Sequence, residues 1–316
     1  MSRSQAEAEL RAMMVRERPP PAGADVPFGA AAELMLRELE ELDRKPATLA
    51  NYRSILRVYL LPCFAETAVD QVASRDVEAL AAQMLRDGKA AQTRAHVLKL
   101  LSQTFNFAGH NGWCADNPCE RVRRPRVRET ADIRFLNRAE LERLLAALDI
   151  TAEPFGSNDR AIFLTAAMTG MRQGELLALR WRDVDWTARR IRVRRSYVRG
   201  HWGTPKSRSG ERSIPLCSRV AEELRRHRRS TCFGAADDLV FAHPRTGGVL
   251  DHDSLGRRFK AALKAAGVRR IRFHDLRHTF GTRMAAAGVP MRALQEWMGH
   301  RDFRTTLIYA DYEPGE

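Results

Sequence analysis

The sequence predicts a mainly α-helical protein with a small antiparallel β-sheet, built as an N-terminal helical bundle followed by a C-terminal α+β domain. Three observations predict it. Residues 28–117 carry apolar side chains at three- and four-residue steps almost without a break. Strand-like patterns are confined to short runs between about residues 190 and 215. Between the two parts lies a basic run interrupted by proline, Arg121-Val122-Arg123-Arg124-Pro125-Arg126-Val127-Arg128. These features divide the 316 residues into a tail (1–25), a helical domain (26–118), a basic linker (119–133) and a C-terminal domain (134–316). That length accommodates two separate cores.

The tail is charged and ends in Pro19-Pro20-Pro21 and Gly23. A first helix is predicted near Ala30–Leu42. A second follows Pro46, with Leu49, Tyr52, Leu56 and Tyr59 on one face. Ser74 is the expected N-cap of a third helix, with Asp76 in its first turn and Gly88 at its end. A fourth runs from about Ala91 to Ala108 and stops at Gly109. The linker is expected to be extended and to lie along phosphates. In the second domain, Asn137 and Glu140 form a capping-box pattern for a helix through Leu148. Asn158-Asp159 starts another, ending at Gly170, and Arg172–Leu179 reads as a short helix. Ile191–Val193, Tyr197-Val198 and Ser213-Ile214 read as strands of one small antiparallel sheet. Helices follow near Arg219–Arg229, Asp253–Ala266, Leu276–Ala287 and Met291–Met298, and a last one carries Tyr309.

The formal net charge is +14, so a polyanionic partner leads, nucleic acid before an acidic membrane surface. The five cysteines are odd in number and include no Cys-x-x-Cys pair, which fits reduced thiols better than disulfides or a zinc module. Residues Met1–Arg18 lack an apolar signal core, and no uninterrupted apolar run approaches membrane-spanning length. A soluble, cytoplasmic protein that engages no membrane is expected.

Several residues suit phosphodiester chemistry. The substrate is an anion, and arginine matches it with a permanent charge and a planar fork for two oxygens. Arg172 is predicted at one helix start and Arg277 in the first turn of another, placed to grip one phosphate from two sides. Glu175, one turn after Arg172, can orient that arginine or a neighbour. His274 and His300 can donate to a phosphate oxygen or move a proton near neutral pH. His278, one turn after His274, reads as the structural member of the pair. The His-x-x-x-His spacing lacks the intervening glutamate and the third ligand of a zinc site, so neither a metal nor another cofactor is expected. Lys206 sits in a polar turn, Gly203–Gly210, from which it can reach a DNA groove and protonate a leaving oxygen. Tyr309 and Tyr312 are both nucleophile candidates, and their spacing does not choose between them.

Four motifs, in this order, closely resemble those of the tyrosine recombinases, the phage integrase family. Thr169-Gly170-Met171-Arg172-Gln173-Gly174-Glu175-Leu176 resembles the family's first arginine motif. Lys206 stands where the family carries a β-hairpin lysine. His274-Asp275-Leu276-Arg277-His278-Thr279 resembles the His-x-x-Arg motif, and Met298-Gly299-His300 with Thr305-Thr306 and Tyr309-Ala310 resembles the final segment. The motifs span about Phe135–Tyr312, and the upstream bundle is similar in size and pattern to the family's core-binding domain.

The resemblance selects Tyr309 over Tyr312 and implies a catalytic set of Arg172, Lys206, His274, Arg277, His300 and Tyr309. In that set Tyr309 attacks the scissile phosphate to give a 3′-phosphotyrosine and a free 5′-hydroxyl. Arg172, Arg277 and His300 stabilise the pentavalent phosphate, Lys206 protonates the leaving oxygen, and His274 assists proton transfer or orientation. The implied activity is site-specific strand exchange between two double-stranded DNA sites, without ATP or metal. The implied assembly is a homotetramer in the synaptic complex and a monomer or dimer off DNA, with accessory DNA-bending or directionality proteins as candidate partners. A type IB topoisomerase, or a DNA-binding protein that has lost activity, are the alternatives. Seven residues follow Tyr309, fewer than in the many members whose longer C-terminal segment docks on a neighbouring protomer.

Overall fold

The computed structural model describes residues 20–126, 133–148, 154–203 and 212–312. The chain forms two compact units, Met1–Glu129 and Thr130–Glu316.

The first unit is helical. Helix α1 (Phe28–Glu41) buries Phe28, Ala31, Ala32, Met35 and Leu36 on one stripe. Phe28 is fully buried between the rings of Phe64 (5.8 Å) and Phe105 (5.7 Å). Helix α2 (Pro46–Ile55) starts on a proline, whose fixed φ suits the first helical position. It continues through a π-helical turn, Leu56–Leu60, into a last turn, Leu61–Phe64. The widened turn sits just before Pro62, which has no backbone N–H to continue the ladder.

Helix α3 (Ser74–Arg86) begins at Ser74 with Ala73 as its N-cap, one residue earlier than the Ser74 cap expected. The Asp76 carboxylate accepts from the Ala73 N–H (2.9 Å), and the Ser74 hydroxyl donates instead to the Pro118 carbonyl (2.9 Å). Helix α4 (Ala91–His110) passes through Gly109 and stops before Gly112, whose φ is +71°. The basic run also departs from expectation at its start. Residues 118–121 form a turn, and Cys119 and Val122 are buried in the bundle core. Residues 123–126 have no regular structure, and 127–132 lie outside the described residues.

The second unit is built around helix α6 (Gly156–Thr169), buried on nearly every side from Ala161 to Ala167. Helix α5 (Arg138–Ala146) precedes it. Its expected capping box is present, with Glu140 N–H donating to Asn137 Oδ1 (2.8 Å) and Asn137 N–H to Glu140 Oε2 (2.8 Å). Helix α7 (Gln173–Leu177) follows α6 directly.

The strands fall into two ladders, not one sheet. Strands β1 (Val184–Asp185), β2 (Arg190–Val193) and β5 (Arg212–Pro215) form an antiparallel sheet in the order β1-β2-β5. Strands β3 (Ser196–Val198) and β4 (His201–Gly203) form a separate hairpin, with Tyr197 opposite Trp202. The chain breaks at Arg194-Arg195, where Arg195 turns back to pair with the buried carboxylate of Asp183. Helices α8 (Ser218–Ser230), α9 (His252–Ala265), α10 (Asp275–Ala286) and α11 (Met291–Met298) complete the unit. Among the described residues, no helix is long and apolar enough to cross a membrane.

Candidate active site

The site begins with two glycines that end helices in the left-handed conformation, Gly170 after α6 (φ +62°) and Gly299 after α11 (φ +65°). Each turns the chain sharply and leaves carbonyls free for arginines. Arg277, in the first turn of α10, is 4% exposed. Its Nη1 donates to the Gly170 carbonyl (2.6 Å) and its Nη2 to the Met298 carbonyl (2.6 Å). Arg172 is the N-cap residue of α7, and its Nη2 donates to the very next carbonyl, that of Gly299 (2.9 Å). Consecutive carbonyls therefore hold two guanidiniums from two separate motifs, and His300 is the residue that follows them.

Glu175 lies beneath this pair, 3% exposed. Its Oε1 accepts from Arg172 Nη1 (3.0 Å) and its Oε2 from the Arg172 N–H (2.8 Å). The backbone donor at this helix start is thus taken by the Glu175 carboxylate. Glu175 also accepts from Arg212 Nη1 (3.1 Å) and Nη2 (2.8 Å). Burial, the largest influence, pushes the Glu175 carboxyl up, but the hydrogen bonds and charges of Arg212 and Arg172 outweigh it and hold the group below its usual range. Arg212 is buried on β5, and its Nε donates to the Trp297 carbonyl (2.6 Å). Sequence reasoning did not single it out. The signal was the two-residue strand period, which puts Arg212 on the face of the buried Ile214.

His300 is anchored by Gln295, whose carbonyl accepts the His300 N–H (3.1 Å) and whose Nε2 donates to the His300 carbonyl (3.1 Å). His300 Nδ1 lies 2.9 Å from the Thr306 hydroxyl. Burial, then the charges of Arg277, Arg172 and Arg212, push its pKa down to about 3, so the ring is neutral at physiological pH. Burial and the Arg172 charge also lower Arg277, which stays protonated at neutral pH. Beside His300 opens a hollow of about 510 Å³ with Arg190, Arg212, Arg292 and Arg301 on its wall.

Tyr309 is 1% exposed. It lies between a short helix, α12 (Arg304–Leu307), and a 3₁₀ turn, Ala310–Tyr312, and so sits on no continuous helix. Its ring rests on Gly281 of α10, where a Cβ would come within 2.4 Å of Tyr309 Cζ. Burial drives the phenol up to about 12, against the lowering charge of Arg277. Its hydroxyl is 2.9 Å from His278 Nδ1. Tyr312 is placed differently, edge-on to Phe135 (5.2 Å, 84°). His274 remains accessible to solvent, edge-on to His278 at 5.6 Å. Desolvation by its neighbours, then the charges of Arg277 and His278, lower its pKa to about 4. Lys206 lies outside the described residues. Arg172, Glu175, His274, Arg277, His300 and Tyr309 thus converge on Gly170, Met298-Gly299 and α10, Tyr312 does not, and Arg212, Gly281 and the supposedly structural His278 join them.

The chain matches the phage integrase family over residues 134–316 and the phage integrase central domain over residues 28–125. It is 31% identical to the putative prophage phiRv2 integrase of Mycobacterium tuberculosis, over 90% of this chain and 74% of that protein. Its fold is similar to that of the Tn1549 transposon integrase solved with a circular intermediate DNA (TM-score 0.76, 22% identity, 92% of this chain and 95% of that one). It is also similar to the lambda integrase tetramer bound to a Holliday junction (TM-score 0.72, 19% identity, 97% and 82% covered). The chain belongs to the phage integrase family of tyrosine recombinases and is a site-specific DNA recombinase that cleaves and rejoins DNA.

Proposed function

We propose that Tyr309 attacks the scissile phosphate of a specific duplex site, forming a 3′-phosphotyrosine bond and freeing a 5′-hydroxyl. Arg172, Arg277 and His300 neutralise the non-bridging oxygens as charge builds on phosphorus. The observation that carries this reading is the seating of both guanidiniums on the consecutive carbonyls of Met298 and Gly299, directly before His300. Arg277 and the Gly281 platform under Tyr309 belong to one helix, so cations and nucleophile share a rigid support. A guanidinium has five donors, so each arginine retains N–H groups for phosphate after its carbonyl contacts. In this reading the Thr306 hydroxyl, 2.9 Å from Nδ1, donates to it, so that neutral His300 carries its proton on Nε2 and donates it to a phosphate oxygen.

Lys206 is assigned the protonation of the leaving 5′-oxygen, and His274 an auxiliary part in proton transfer or orientation. The ester conserves the energy of the phosphodiester, so rejoining to a partner strand requires neither ATP nor metal. Residues 26–118 and 134–316 both contact duplex DNA, joined through 119–133. In the first unit a groove of about 180 Å³ lined by Asn51, Tyr52, His96, Lys99 and Gln103 offers polar and cationic groups for it. Four protomers on two DNA sites exchange strands in pairs, and the lambda integrase tetramer on a Holliday junction supports that stoichiometry. Off DNA the protein is a monomer or dimer, and DNA-bending or directionality proteins act as accessories. The reaction takes place in the cytoplasm, where the DNA is.

The test is a nicked suicide substrate carrying the target site, analysed on denaturing gels. Wild type gives a covalent protein–DNA adduct and Tyr309→Phe gives none. An adduct that persists in Tyr309→Phe and disappears in Tyr312→Phe reverses the assignment.

A further inference from the structure

The residue bonded to the reactive hydroxyl is His278, which the sequence pattern marks as structural. Its Nδ1 lies 2.9 Å from Tyr309 Oη, with ring centroids 6.0 Å apart. It sits on α10 between Arg277 and Gly281, so one helix carries a phosphate-binding cation, this imidazole and the platform under the tyrosine ring. Among the described residues no hydrogen bond joins His274 to Tyr309; the His274 ring lies edge-on to that of His278. We propose that His278 is a further catalytic residue, the acceptor of the Tyr309 hydroxyl proton as that oxygen attacks phosphorus. The inference rests on Tyr309 being the nucleophile.

The step balances. The Tyr309 Oη–P bond forms and the P–O5′ bond breaks. The phenolic proton passes to His278 Nδ1, and the departing 5′-oxygen takes a proton from the acid on the opposite side, the part assigned to Lys206. In rejoining, His278 returns its proton to the departing phenolate. The charged and titratable groups around His278 are Asp275, Arg272, Arg277, His274, His300 and Tyr309. Desolvation outweighs Asp275 and, with Arg272 and Arg277, holds the His278 ring below its ordinary value, so it is neutral and able to accept at pH 7. Tyr309 stands near 12. The phenol is raised and the imidazole lowered, so the neutral pair is the resting form and complete transfer ahead of attack is strongly uphill. Transfer is therefore concerted with P–O bond formation, the regime in which a positioned base contributes about 10²- to 10⁴-fold.

Single-turnover cleavage of suicide DNA is measured from pH 5 to pH 9 for wild type, His278→Asn, His278→Gln and Tyr309→Phe. Each is first checked for wild-type melting and DNA binding. His278→Asn keeps an amide near the Nδ1 position but accepts no proton, so cleavage at pH 7 falls by about 100-fold. Its rate then climbs about tenfold per pH unit, because only pre-formed phenolate reacts, and the acid limb of the wild-type profile vanishes. A substrate with sulfur in place of the bridging 5′-oxygen needs no acid on the leaving group, and the His278→Asn defect persists on it. Wild-type rates in both His278 variants, or restoration by the sulfur substrate, overturn the proposal. If neither variant folds, ring NMR of wild-type His278 decides: its titration must coincide with the acid limb, and a mismatch overturns the proposal. An adduct formed by Tyr309→Phe removes the nucleophile assignment itself, a result separable from any of these.

Discussion

At the scale of single residues, the site depends on one position that has no room for a side chain and one buried charge. Gly281 lies under the Tyr309 ring, with Tyr309 Cε1 2.5 Å from where a Cβ would stand. Gly281→Ala must displace the tyrosine, so adduct formation falls by at least about tenfold while DNA binding is retained, as a gel-shift and suicide-substrate pair would read. A 1 Å misplacement of a reacting group costs on this order or more. Glu175 is the buried charge, a carboxylate between Arg172 and Arg212. Glu175→Ala leaves two guanidiniums without their shared counter-charge and lowers stability by about 3–5 kcal/mol, measured by denaturant unfolding. Only one of these roles was partly legible in the sequence. Glu175 was marked as an orienting residue for Arg172 or a neighbour, and it serves Arg172 and Arg212 together. Gly281 gave no signal and His278 was read as structural, because the place of both comes from a tyrosine about thirty positions away that the fold brings back onto α10.

At the scale of elements, helix ends set by local chemistry were the most readable. The Asn137–Glu140 box opens α5 as expected, and Asn137→Ala costs about 1 kcal/mol. Its melting temperature falls by roughly 2–4 °C, and cleavage is unchanged. Gly170 ends α6 as expected for a different reason at each side. Its φ is +62°, and a Cβ would lie 2.5 Å from Phe280 on α10. The segment around Tyr309 was not readable. A helix was expected to carry both tyrosines on nearly one face. The chain instead closes through three-residue bonds, Tyr309 N–H to the Thr306 carbonyl (3.0 Å) and Tyr312 N–H to the Tyr309 carbonyl (3.0 Å). These tight turns drop the Tyr309 ring onto Gly281 and send Tyr312 to Phe135, so tertiary packing overrides helical period. The strands show the same override: their alternation was legible, but the split into two ladders was not, and it falls where Arg195 pairs with the buried Asp183.

At the scale of the whole molecule, charge governs both stability and binding. His300 has a folded pKa near 3, well below its unfolded value, so the unfolded chain binds its proton first as pH falls. Its contribution to stability is complete above about pH 6.5 and is lost progressively toward pH 3. Glu175, depressed in the fold, loses its contribution over the lower part of the same interval. Thermal midpoints should therefore fall steadily from pH 7 to pH 4, and His300→Asn should flatten the upper part of that decline. With a net charge of +14, binding to duplex DNA should weaken by about 10³-fold or more between 50 and 200 mM salt, as counterion release at six or more phosphates requires. A nearly flat salt dependence would contradict a phosphate-dominated interface. The two-domain order, the helical bundle and the convergent motifs were visible in the sequence because each rests on local pattern. What lay hidden was the burial of a +14 chain's key cations inside its own carbonyl turns. The most direct test of the central claim is tandem mass spectrometry of the tryptic peptide after Arg304, which carries both Tyr309 and Tyr312, recovered from the covalent DNA adduct. The account predicts the nucleotide remnant on Tyr309, and a remnant on Tyr312, or on any other peptide, contradicts it.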